Sequence, residues 1–183
     1  MSERLIPYQP LDLAEPAELV AAIRQRRGGR FINLDRMLLH STPIAEGWNH
    51  FVGEIRNNLS LDPKLRELAM CGVAVLNGAE YEFFHHAPPF MNAGGTDEQV
   101  EALRLIGQPN FPKALFSSLE NDAAELTFQM TRNIQVDSAL MKRLQATLGN
   151  TDTVELVTVV AAYNMVSRFL IALDVSPEEH PPE

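Results

Sequence analysis

Apolar residues recur along this chain at intervals of three and four. No segment sustains the alternation of valine, isoleucine and threonine that a half-buried strand requires. This regularity constrains the fold more than any other feature and predicts an all-α protein. Its clearest instance lies at the centre of the chain. Asp62 is placed to cap a helix with Pro63 at the first helical position, and Leu65, Leu68, Ala69, Gly72, Val75 and Leu76 then fall on one stripe. The helix should stop at Asn77-Gly78. From Met70 to Leu76 the only ionisable group is Cys71, so this helix is expected to be buried on most sides.

The neighbouring segments follow the same logic. A helix is predicted from Pro16 to Arg27, stopped by Gly28-Gly29. A short one capped by Asn33 or Asp35 must end before Ser41-Thr42-Pro43, and another should span about Ile44 to Asn57. A helix restarting near Ala79 meets Pro88-Pro89, whose missing donors predict a kink or break. Thr96 and Gln99 have the spacing of a capping box. After a loop over 107–114, helices are expected at about Phe116–Asn133, Asp137–Leu148 and Thr151–Leu173. The resulting organisation is an extended arm over 1–16, a single helical domain over 17–175, and a Pro- and Glu-rich disordered tail over 176–183.

Composition narrows the function classes. A chain of 183 residues that is 45% hydrophobic can bury roughly 70% of its unfolded surface without staples. Its single cysteine excludes an intramolecular disulfide, a Cys-x-x-Cys pair and a cysteine-based zinc site. The first sixteen residues hold no apolar run of the signal-peptide kind, so a cytoplasmic location is expected. The apolar stretch 154–173 contains Glu155, Asn164 and Arg168, which suits a buried or interface helix rather than a membrane span. Trp48, Phe51 and Phe90 add apolar surface that a small bundle has difficulty covering, which favours self-association. A net charge of −9 repels phosphate, and the cluster Arg24, Arg26, Arg27 and Arg30 has no aromatic residue interleaved, so no nucleic-acid partner is expected.

One constellation carries chemistry: Glu82-x-x-His85-His86, with Glu67 fifteen residues upstream of Glu82. On a helix Glu82 and His86 are four apart and share a stripe with Ala79, so a carboxylate can sit beside an imidazole and form a proton relay. His85 and His86 point about 100° apart, so one of them at most faces the same site as Glu82. Glu67, at the edge of an almost wholly apolar helix, must be paired or protonated to be buried there. With no second Glu-x-x-His in the chain, a di-iron carboxylate site is not expected, and no metal is assigned. Cys71 reads as a small core residue.

The run from Glu67-Leu68-Ala69 through Val73-Ala74-Val75-Leu76-Asn77-Gly78-Ala79-Glu80-Tyr81-Glu82-Phe83-Phe84-His85-His86, followed by Ala93-Gly94 and Asp97-Glu98, resembles the core of the carboxymuconolactone decarboxylase family. That family includes the alkylhydroperoxidase D type, and the stretch from Ala162 to Arg168 resembles the end of its longer members. The resemblance implies an alkylhydroperoxidase D-like helical bundle that assembles as a trimer or hexamer. In the peroxidase type a glutamate precedes a Cys-x-x-Cys and then a histidine. Here Glu67 and His86 stand in the glutamate and histidine places, Ala79 and Glu82 occupy the cysteine places, and Tyr81 sits where a second histidine often stands. Both redox sulfurs are therefore missing, while the proton-handling ends are kept.

The decarboxylase type, by resemblance, needs neither thiol nor cofactor. It implies acid-base work by Glu67, Glu82 and His86 on a small lactone or enolisable acid, with Tyr81, His85, Asn164 and Arg168 as substrate-binding candidates. Arg168 could equally be an ion-pair partner for one of the glutamates. The rival expectation is a non-catalytic helical assembly protein in which Glu82 and His86 merely satisfy each other.

Overall fold

The computed structural model describes residues 5–178, so the outermost parts of the expected arm and tail lie outside it. All regular structure among the described residues is helical, in the order α1 (Ala17–Arg26), α2 (Asn33–Leu38), α3 (Thr42–Asn57), α4 (Pro63–Asn77), α5 (Glu80–Asn92), α6 (Asp97–Leu103), a 3-10 turn (Lys113–Leu115), α7 (Ser118–Arg132) and α8 (Ser138–Ala172). The described residues group into two compact units. One takes those up to Asn58 together with those from Leu170 onward, and the other is Leu59–Phe169.

In the larger unit α4 is the central element, packing on α5 and α7. Asp62 caps it by accepting from the Lys64 and Leu65 amides, Pro63 occupies the first turn, and Gly78 ends it in the left-handed region at φ 70°. The Arg132 guanidinium at the end of α7 donates to the Leu76 carbonyl, one of the acceptors that the end of α4 leaves open. Ten of the fifteen residues of α4 are buried, Glu67 among them, which meets the expectation of a helix enclosed on most sides. Close approach is set at Gly72, where a Cβ would lie 2.8 Å from Ile106 Cδ1 and 3.0 Å from Thr127 Cγ2.

Of the kink or break expected at Pro88-Pro89 the break does not occur, because α5 runs through both prolines to Asn92. Tertiary packing overrides the local penalty. Phe90, just past the prolines, is wholly buried, and a Cβ on Gly95 would sit 2.4 Å from its ring, so the Gly94-Gly95 turn closes over this aromatic side chain. Thr96 and Gln99 form the expected capping box on α6, and Ser117 and Glu120 form another on α7. The two helices anticipated after Asn133 are both present within α8, divided at Gly149 by non-helical backbone with φ 74° and ψ −178°. By length and composition α8 could cross a bilayer, but that interruption and the buried share of its apolar window suit packing within the protein.

In the smaller unit α2 is capped by neither Asn33 nor Asp35. Ile32 is the N-cap, and Asp35, three residues on, reaches back to its amide at 3.2 Å. The same carboxylate pairs with Arg26 at 3.3 Å and Arg27 at 3.1 Å. Burial lowers the Arg26 guanidinium to about 10, with Arg27 adding to the shift and Asp35 opposing it. Arg24 donates to the carbonyls of Leu11 and Leu13, so three arginines of the basic cluster serve the fold. The arm 5–16 has no helix. Its Tyr8 hydroxyl accepts from the Ser176 amide, and Glu178 accepts from the Asn33 amide at 2.6 Å.

Candidate active site

Glu67 projects from the first half of α4, and Glu82 and His86 from one face of α5, so the packing of these two helices brings all three together. His86 Nδ1 lies 2.6 Å from Glu67 Oε2, and its Nε2 lies 3.9 Å from Glu82 Oε2. The three side chains are 2%, 6% and 4% exposed for His86, Glu67 and Glu82. The imidazole therefore bridges the two carboxyl groups, with Nδ1 facing Glu67 and Nε2 facing Glu82. Glu67 has a cationic neighbour as well, since Nε and a terminal nitrogen of Arg66 each lie 3.3 Å from its Oε1. The pairing that a buried glutamate needs is thus supplied from both sides. Tyr163 of α8 packs edge-on against the imidazole, ring centroids 4.9 Å apart, and fixes its plane.

Of the two adjacent histidines, His86 faces the glutamates. His85 lies against Tyr81, centroids 4.4 Å apart, and edge-on to Phe84. Asn164 and Arg168 belong to a different hydrogen-bond network. The Asn164 amide donates to Thr131 Oγ1 and the Val160 carbonyl, and its oxygen accepts from Asn77 and from Arg168. Every hydrogen-bonding position of the Asn164 side chain is therefore taken by protein. Arg168 also donates to the Asn164 carbonyl at 2.7 Å and pairs with no carboxylate among the described residues, so the cation beside Glu67 is Arg66 and not Arg168. Asn77 bridges this network to Ser167 at 2.7 Å.

Cys71, one turn after Glu67, is fully buried. Burial pushes its thiol well above the usual range, and the nearby Glu67 and Glu82 charges push it further. Sequence reasoning does not single out Arg66, Tyr163 or Asn77. Arg66 directly precedes Glu67 and Tyr163 directly precedes Asn164, but which of these side chains turns inward depends on helix packing that no local spacing encodes.

Residues 43–116 match the carboxymuconolactone decarboxylase family. The matched stretch contains Glu67, Tyr81, Glu82, His85 and His86, whereas Asn164 and Arg168 fall beyond it. No curated protein matches the chain in sequence. Among solved structures, the chain superposes on an uncharacterized peroxidase-related protein from Silicibacter sp. TM1040 with a TM-score of 0.80 at 18% identity, over 98% of this chain and 96% of that one. A second peroxidase-related protein, described as an alkylhydroperoxidase AhpD core and coming from Ralstonia eutropha JMP134, gives 0.79 at 13% identity, over 95% and 92%. The debrominase Bmp8, in a cysteine-to-alanine variant bound to 2,3,4-tribromopyrrole, gives 0.76 at 15% identity, over 97% and 95%. The fold is therefore the alkylhydroperoxidase D-like helical bundle, and its central segment carries the sequence pattern of the carboxymuconolactone decarboxylase family. Neighbours this distant in sequence fix the fold without fixing a reaction.

Proposed function

We propose that this protein is a cofactor-independent acid-base enzyme of the carboxymuconolactone decarboxylase type, acting on a small lactone or enolisable acid. The observation that carries the reading is the buried Glu67–His86–Glu82 chain, with a 2.6 Å bond on one imidazole nitrogen and a second carboxylate 3.9 Å from the other. When a lactone acid loses CO2, the electrons of the breaking carbon–carbon bond pass into the conjugated carbonyl and form a dienolate, which must then receive a proton on carbon. His86 Nε2 is the proton donor in this reading. Glu67 holds the ring orientation and supports the imidazolium, and Glu82 reloads Nε2. While ionised, before it takes up a solvent proton and passes it to Nε2, Glu82 repels further negative charge, which favours substrates with fewer carboxylates than a carboxylactone. Because His86 is almost fully covered, substrate reaches Nε2 only when neighbouring side chains part.

A thiol-dependent peroxidase is disfavoured by the covered, raised Cys71 thiol and by the lack of a resolving cysteine. The remaining rival, a non-catalytic assembly protein, rests on the same burial. A cofactor-free assay against a panel of lactone acids, beginning with carboxymuconolactone and following CO2 release and ultraviolet absorbance, separates the two. The expected result is turnover that falls about 100-fold or more in His86→Gln, with the circular dichroism spectrum unchanged. Silence across the panel, or turnover that persists in the variant, overturns the reading.

A further inference from the structure

A cavity of about 240 Å³ opens on the larger unit between the loop after α6 and the outer face of α7. The proposed chemistry makes no use of it. Its walls are apolar and partly aromatic, with Ile106, Pro109, Phe111 and Phe128 contributing, and it is smaller than the roughly 300 to 1,000 Å³ of a drug-sized site. Four polar side chains also line it, those of Gln108, Lys113, Asn121 and Glu125. Lys113 pairs with no carboxylate among the described residues, so its ammonium is uncommitted. Glu125 accepts from Gln129 through one carboxylate oxygen. Asn121 Oδ1 is buried, and no donor among the described residues reaches it.

The same Asn121 amide donates to the carbonyls of Lys113, Phe116 and Ser117, so the loop that forms one wall is held in place before any ligand arrives. Gly107 lies at φ 78°, and a Cβ there would fall 2.5 Å from the Phe128 ring, so the loop packs against this ring where a side chain would not fit. The cavity is preformed, with one cation, one anion, one orphaned acceptor and aromatic walls.

We propose that this cavity binds a small zwitterion with an apolar side chain, the chemistry of a free α-amino acid such as phenylalanine. The ligand carboxylate meets Lys113, its ammonium meets Asn121 Oδ1 and Glu125, and its side chain lies between Phe111 and Phe128. A ligand with only one of the two charges leaves a protein charge or the buried acceptor without a partner. Neither Glu67 nor His86 takes part, so the site stands or falls apart from the lyase reading.

The test is calorimetric titration of the full chain with three probes: L-phenylalanine, 3-phenylpropanoate, which lacks the ammonium, and phenethylamine, which lacks the carboxylate. Phenylalanine should bind at least about five-fold more tightly than either analogue. Lys113→Gln should weaken phenylalanine and phenylpropanoate about five-fold and leave phenethylamine unchanged. Glu125→Gln should weaken phenylalanine and phenethylamine and leave phenylpropanoate unchanged. Neither residue is buried, so both variants should fold, and His86→Gln should bind phenylalanine as the parent does. No heat with phenylalanine at millimolar concentration, or binding that the two variants weaken without this crossed pattern, overturns the proposal.

Discussion

A buried charge is stable only with its partners, and Glu67 has His86 and Arg66 beside it. Glu67→Ala would leave the Arg66 charge and the His86 donor without their acceptor and should lower stability by about 3 kcal/mol, read as a reduced midpoint in urea. Glu67→Gln keeps the shape and removes the charge, so it should cost less stability than the alanine change. If His86 works as proposed, the glutamine variant should still lose at least as large a share of turnover as the alanine one. At Gly72 the sign is set by space: Gly72→Ala gains about 1 kcal/mol of helix propensity but drives a methyl to 2.8 Å from Ile106 Cδ1. The net effect should be destabilising by about 1 to 2 kcal/mol in chemical denaturation. The Glu82–His86 pairing is legible in their four-residue spacing, and Glu67's need of a partner in its apolar surroundings, but the bond from Glu67 to His86 is not, because it joins two different helices. The choice of His86 over His85 is not, because adjacent helical residues differ only in which face the neighbouring helix covers.

At the scale of elements, caps are the most legible features. Asp62 with Pro63, Thr96 with Gln99 and the Gly78 stop stand where the sequence places them, because each is a local hydrogen-bonding motif. The break expected at Pro88-Pro89 fails for the opposite reason, since a buried Phe90 and the contact with α4 are non-local. Two charged elements yield measurable consequences. On α7 burial raises the Glu120 carboxyl, but hydrogen bonds from Lys64 and from the Ser117 backbone and hydroxyl outweigh it and hold it below its ordinary value of 4.5. Its contribution to stability is therefore complete above about pH 5 and is lost as pH falls through the depressed folded value. Glu120→Gln should flatten the acid arm of a plot of unfolding free energy against pH in that window. On α2, Asp35→Asn would set Arg26 and Arg27 against each other, and because both are partly exposed the loss should be about 2 to 3 kcal/mol by thermal melting.

At the scale of the whole molecule, the all-helical class follows from periodicity alone, while the grouping of the described residues into two units does not, since it depends on which non-adjacent segments pack. Of the apolar residues that favour self-association in the sequence, the structure buries Trp48 and Phe90 within the single chain, leaving Phe51 at 46% exposure. Assembly to a trimer or hexamer thus rests on the family resemblance, and sedimentation equilibrium at micromolar concentration should return three or six times the chain mass; a monomer would contradict it. The lone cysteine has a different use. Cys71 sits one turn from Glu67 and is wholly covered, so a thiol reagent can modify it only during excursions that separate α4 from its neighbours. With excess reagent its labelling rate becomes a clock for those excursions, and the chain carries, without any added probe, a timer for how often the wall around the candidate site comes apart.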